Sequence, residues 1–123
     1  WKTEELRPAS YDRATSTDAK TGIVTTSIFA DNGENKDLTH GLISGSWMKE
    51  NFYIHPDNPT SAKATAEWEQ TGGRTGQMWR TQVTAEMTCD VENLYTKHTL
   101  KSYLNGEEFF AKEFKGRVER EFV

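Results

Sequence analysis

The residues with the potential for chemistry are few, and none stands in a spacing that completes a site. Gly41-Leu42-Ile43-Ser44-Gly45 is superficially like the nucleophile elbow of α/β-hydrolases. That elbow needs a glycine two residues before the serine and a strand-to-helix turn. Here the glycine lies three residues before Ser44 and no helical pattern follows, so Ser44 reads as a strand serine. Cys89 is the sole cysteine and has no flanking histidine. A reactive thiolate needs an electropositive setting, so a structural thiol is the better reading. No catalytic residue is assigned.

His40, His55 and His98 stand apart from one another, with no cysteine or second histidine at zinc spacing. The run Asp31-Asn32-Gly33-Glu34-Asn35-Lys36-Asp37 is rich in oxygen ligands. A calcium loop would place its glycine sixth and a bidentate glutamate twelfth, and the twelfth residue is Leu42. It reads as a solvated hairpin turn, and no metal or cofactor is expected. Aromatic residues are dense from Trp47 to Phe114, and in a small β-domain most of them belong to the core. If the sheet closed into a barrel, some could line a pocket for an apolar ligand. The candidate ligand-binding residues are then His55, His98, Trp47, Trp68, Trp79 and Tyr103.

The elements that must position these residues are strands. Ala62, Ala64, Ala66 and Trp68 share one parity against Lys63, Thr65, Glu67 and Glu69. Trp79, Thr81, Val83, Ala85 and Met87 repeat the pattern against Arg80, Gln82, Thr84 and Glu86. Period-two alternation marks a strand with one buried face. A helix over Thr60–Glu69 competes, because alanine and glutamate favour helices. The alanines fall at spacing two, which decides for a strand. Thr71-Gly72-Gly73-Arg74 is read as the turn between these two strands, and Asp31-Asn32-Gly33 as the turn after Ile23–Ala30. His55-Pro56-Asp57-Asn58-Pro59 ends the apolar stretch Thr39–Ile54. Asn105-Gly106 joins Leu94–Leu104 to Glu107–Phe114 with the strongest short hairpin signal. A last strand over Arg117–Val123 is expected to close the sheet. The fold class is therefore all-β: an antiparallel meander of about six strands forming a small sandwich or barrel. An extended polar N-terminal segment, 1–22, precedes a single domain, 23–123.

Composition narrows the function classes. The 123 residues are 34% hydrophobic, with a mean hydropathy of −0.82, which allows one modest core. Fifteen basic against nineteen acidic residues give a net charge of −4, so the basic footprint of a nucleic-acid binder is missing. No stretch approaches the roughly 20 apolar residues of a membrane-spanning helix, so neither nucleic acid nor membrane is expected as a partner. The single cysteine excludes an intrachain disulfide. The chain starts at Trp1 with no basic-then-apolar leader, which reads as a processed or excised chain with a cytoplasmic location.

Several turn and hairpin residues carry a resemblance. Asp31-Asn32-Gly33, Gly41-Leu42 and the run Ile54-His55-Pro56-Asp57-Asn58-Pro59-Thr60-Ser61-Ala62 follow one another. Trp68, Arg74, Trp79, Met87-Thr88-Cys89-Asp90, Leu100-Lys101-Ser102-Tyr103-Leu104-Asn105-Gly106 and Phe110 continue the progression. It resembles a segment near the C-terminus of CocE/NonD-type hydrolases, the serine esterases and peptidases related to cocaine esterase and X-prolyl dipeptidyl-peptidases. The similarity runs over about residues 31–123. It is most specific in the H-P-D-x-P-x-S-A run. It departs at Val118-Glu119-Arg120-Glu121, where only the arginine matches the family's I-P-R-D-like ending. The catalytic triad of those enzymes lies on a separate domain, and nothing here matches it. The resemblance thus implies a non-catalytic accessory β-domain or small subunit. Its partner would be a larger hydrolase-type catalytic chain, or a second copy through self-association. The alternative is a free-standing small β-barrel that binds a hydrophobic molecule, with simple acid–base chemistry at a histidine.

Overall fold

The computed structural model describes residues 2–121. It is an antiparallel sheet of eight strands: β1 (Thr3–Arg7), β2 (Ser10–Thr17), β3 (Val24–Asp37), β4 (Ile43–His55), β5 (Asn58–Arg74), β6 (Gln77–Cys89), β7 (Asn93–Leu104) and β8 (Glu107–Glu119). The order is β1-β3-β4-β5-β6-β7-β8, with β2 also pairing β3. The all-β meander that the alternation requires is what forms. The sheet is open: β1 and β2 share one margin, β8 forms the other, and the described residues supply no second layer.

Eight strands stand where about six were expected, because the polar segment 1–22 supplies two. Tyr11 pairs with Ala30 and Arg13 with Ile28 along β2, while Glu4 pairs with Lys36 on β1. Every residue of β2 is exposed, so no apolar alternation marks it in the sequence. Backbone ladder bonds hold it instead.

Three sequence expectations need correction in position. Asp31-Asn32-Gly33 is a bulge inside β3, where the register shifts between Asp31 and Glu34. Gly33 has φ +79°, and a side chain there would stand 2.7 Å from the Arg7 carbonyl oxygen. Such a bulge uses the same positive-φ chemistry as a turn, which is why the sequence signal is shared. Second, β5 runs through Thr71-Gly72-Gly73-Arg74, and the chain reverses at Thr75-Gly76, with Arg74 opposite Gln77. Third, the strand expected over Arg117–Val123 is the end of β8, which stops at Glu119; Phe122 and Val123 lie outside the described residues, as does Trp1. Thr60–Glu69 is strand, not helix. Asn105 and Gly106 form the two-residue reversal with φ of +48° and +82°, as a type I′ turn demands.

Cross-strand pairing sorts the side chains onto two faces. Phe52, Ala64, Met87 and Thr96 lie in one row, and Met48, Trp68, Val83 and Leu100 in another row of the same face. The opposite face carries Lys49, Glu67, Thr84 and Asn51, Thr65, Glu86, Lys97. No hydrophobic side chain among the described residues is buried. The accessible surface is 8796 Å². A compact monomer of 14.0 kDa exposes about 6,700 Å², so about 2,100 Å² is uncovered in excess.

Candidate functional site

The six candidate residues fall on different faces and do not converge. Trp68 on β5 and Trp79 on β6 lie on the apolar face, as does His98 on β7. The Trp79 ring lies across Gly72, where a side chain would meet its Cζ2 at 2.3 Å. Trp47 lies on the polar face, tilted against Phe29 with ring centroids 6.2 Å apart. Tyr103 is on that polar face too, with the Arg80 guanidinium 4.2 Å above its ring. His55 is the last residue of β4, before the turn at Pro56-Asp57: its Nδ1 accepts the Asp57 amide at 3.1 Å, and its own amide donates to Ser61 Oγ at 2.7 Å.

Ser44 is a β4 residue opposite Gly72, on the apolar side of the sheet. The Cys89 thiol faces the Thr60 and Ala62 carbonyl oxygens at 3.7 and 3.8 Å, a weak pair of contacts to backbone. His40 sits 3.4 Å from Asp37 in the β3–β4 turn. Among the described residues, no group of three or more His, Cys, Asp or Glu is gathered to hold a metal ion. No helix among them is long and apolar enough to cross a membrane.

An apolar groove of about 390 Å³ lies on the apolar face, lined chiefly by Val24, Phe52, Ile54, Ala64, Met87 and Leu94. None of the six candidates lines it. Its signal was present in the alternation itself, since Ala64 and Met87 are the apolar parity of their strands. Histidines and tryptophans drew attention by residue type, whereas the groove depends on which parity of five successive strands shares a face.

Several side chains of the polar face pair within the chain. Arg7 holds Asp31 through two bonds, Nε to Oδ2 at 2.8 Å and Nη2 to Oδ1 at 3.0 Å. These bonds push the Asp31 carboxyl below, and the Arg7 guanidinium above, their ordinary values. Thr71 Oγ1 donates to Glu34 at 3.0 Å, and Lys63 meets Glu86 at 3.0 Å. At the loops, Asp18, Asp37 and Asp90 each accept two backbone amides, two and three residues on. Amide donation favours the ionised form, which lowers the pKa of Asp18 and Asp37. For Asp90 the Tyr95 hydroxyl is the larger cause, with the two amides behind it. These groups lock turns; none is poised over the groove.

Comparison with family models, with curated proteins and with solved structures returns no match.

Proposed function

We propose that this chain is a non-catalytic accessory β-domain, or small subunit, of a serine-hydrolase-type catalytic chain, with a structural or assembly role. The observation that carries the reading is the uncovered apolar face, in a sheet with no buried hydrophobic side chain among its described residues. A single open sheet has nothing to bury its apolar parity against, and domains are stable as two or more packed layers. Such a sheet depends on a second body. The resemblance of residues 31–123 to the C-terminal segment of CocE/NonD-type hydrolases supplies the class of the assembly to which that body belongs. A free-standing barrel around an apolar ligand has less support, because β8 does not pair back to β1 or β2 and the groove stays open.

The test is native purification followed by labelling with a fluorophosphonate, which reacts with activated serines. A larger labelled chain is expected to co-purify, with this chain unlabelled. Labelling of Ser44 in this chain, or recovery with no labelled companion, would overturn the reading.

A further inference from the structure

The apolar face has a size pattern that runs across all its central strands. One row reads Thr26, Phe52, Ala64 on β3–β5, then Met87, Thr96, Gly116 on β6–β8. The next reads Ile28, Glu50, Ala66, then Ala85, His98, Phe114. A third reads Ala30, Met48, Trp68, then Val83, Leu100, Lys112. Consider a two-fold axis parallel to the strands, above the boundary between β5 and β6. It lays β5 of one copy over β6 of the other and β4 over β7. Ala64 then faces Met87, Phe52 faces Thr96, and Trp68 faces Val83, so bulk meets a smaller neighbour in each pair. Glu50 faces His98, giving the most central carboxylate of the face an imidazole partner. Ala66 and Ala85 form the floor of a trough of about 210 Å³ between Phe52, Met87, Glu50 and His98.

We propose that a second copy of this chain covers the apolar face, forming a two-fold sandwich about the β5–β6 boundary. The inference rests on the assembly role proposed above, and it gives the apolar face to a second copy, so that the catalytic chain would meet the dimer elsewhere. Sheets packed face to face cross at about 30°, so the pairings hold best near the axis, at β4 to β7. The area allows it: the chain's excess of about 2,100 Å², if hidden on each of two copies, is about 4,200 Å² in total, within the 2,000–5,000 Å² or so of obligate homodimers. A single docked helix would leave much of that excess exposed. An isologous interface must be complementary to itself, and near the axis these rows set large side chains against smaller ones at three pairs and a carboxylate against an imidazole.

The experiment is sedimentation of the full chain over a range of concentrations, with a mutant cycle at Glu50 and His98. The parent is expected at twice 14.0 kDa. Glu50→Lys alone and His98→Glu alone should each weaken the dimer about tenfold or more, and the double variant should recover most of the loss. Within one chain these positions are separated by three strand spacings, roughly 14 Å, too far for direct coupling. Recovery therefore reports contact between copies. If either variant fails to fold, Met48→Cys and Leu100→Cys in a Cys89→Ala background replace the cycle. A bis-maleimide spanning roughly the 10 Å between packed sheets should then give a covalent dimer. A dimer whose Glu50 and His98 effects simply add, or that does not cross-link, overturns the proposed face. A chain that is monomeric alone, yet forms a one-to-one complex with a fluorophosphonate-labelled chain protecting Phe52 and Met87, overturns self-association and leaves the assembly role standing. A monomer with no labelled companion overturns both.

Discussion

The two faces of this sheet are built from the same strands, residue by residue in alternation, and they reach stability by opposite means. On the polar face, charges and hydroxyls find partners within the chain: Arg7 with Asp31, Lys63 with Glu86, Ser27 with Asn51, and Arg80 over Tyr103. Water can satisfy what remains. On the apolar face, Phe52, Met87 and Trp68 stay 40–45% exposed with no layer above them. Burying apolar area is the main favourable term in folding, and on this face most of that area is left uncovered within the chain.

Adjacent residues on β6 break that comparison most sharply. Met87 points to the apolar face and Thr88 to the polar one. Met87→Asp should weaken assembly at least about a hundredfold, since an unpartnered buried charge costs about 3–5 kcal/mol. Thr88, half-buried at the edge of the groove, should lose about 1 kcal/mol of stability on Thr88→Asp, the span of strand propensities. Sedimentation and urea unfolding of both variants make the measurement, and equal effects would mean that the faces are not distinct.

A smaller effect sharpens the packing within the apolar face. Gly72→Val places its first side-chain carbon against the Trp79 ring, at 2.3 Å from Cζ2 and 2.7 Å from Cε2 in the present geometry. The ring must move, and crowding of this kind costs about 1–3 kcal/mol. Thermal unfolding reads the loss, and Trp79 fluorescence should shift as the ring is displaced.

The smallest effect belongs to the polar face. Arg7→Ala removes a two-bond ion pair in which Arg7 is 38% exposed, and about 1 kcal/mol is expected for such a partly solvated pair. The same pair carries a pH signature. Arg7 holds the folded-state Asp31 pKa below its ordinary 3.8, so its stabilisation is present above that value and is lost as pH falls through the depressed one. Asp18, Asp37 and Asp90 act in the same direction. The parent should therefore lose stability on acidification below 3.8, and Arg7→Ala should lose less of it over the same range. Urea midpoints across that range check the difference; an identical acid slope would remove Asp31 from the account.

Much of the sheet was legible in the residues. Alternation of Ala62 to Trp68 and of Trp79 to Met87 identified β5 and β6, and Asn105-Gly106 located the last reversal. The strands β1 and β2 were not legible, because both of their faces are solvated and only their ladder to β3 defines them. Asp31-Asn32-Gly33 misled because a bulge and a turn ask for the same positive φ. The candidate residues chosen by type, His55 and Trp47 among them, scattered because parity, not residue type, selects a face.

The amino-acid sequence by itself determined that the chain would be an antiparallel meander with one apolar and one polar parity, since period two and turn chemistry are local properties. Only the tertiary structure decided that the apolar parity stays uncovered, and that Glu50 and His98 lie in one row about an alanine trough. Register between distant strands sets both outcomes, and a shift of one residue would have sent those side chains to the other face.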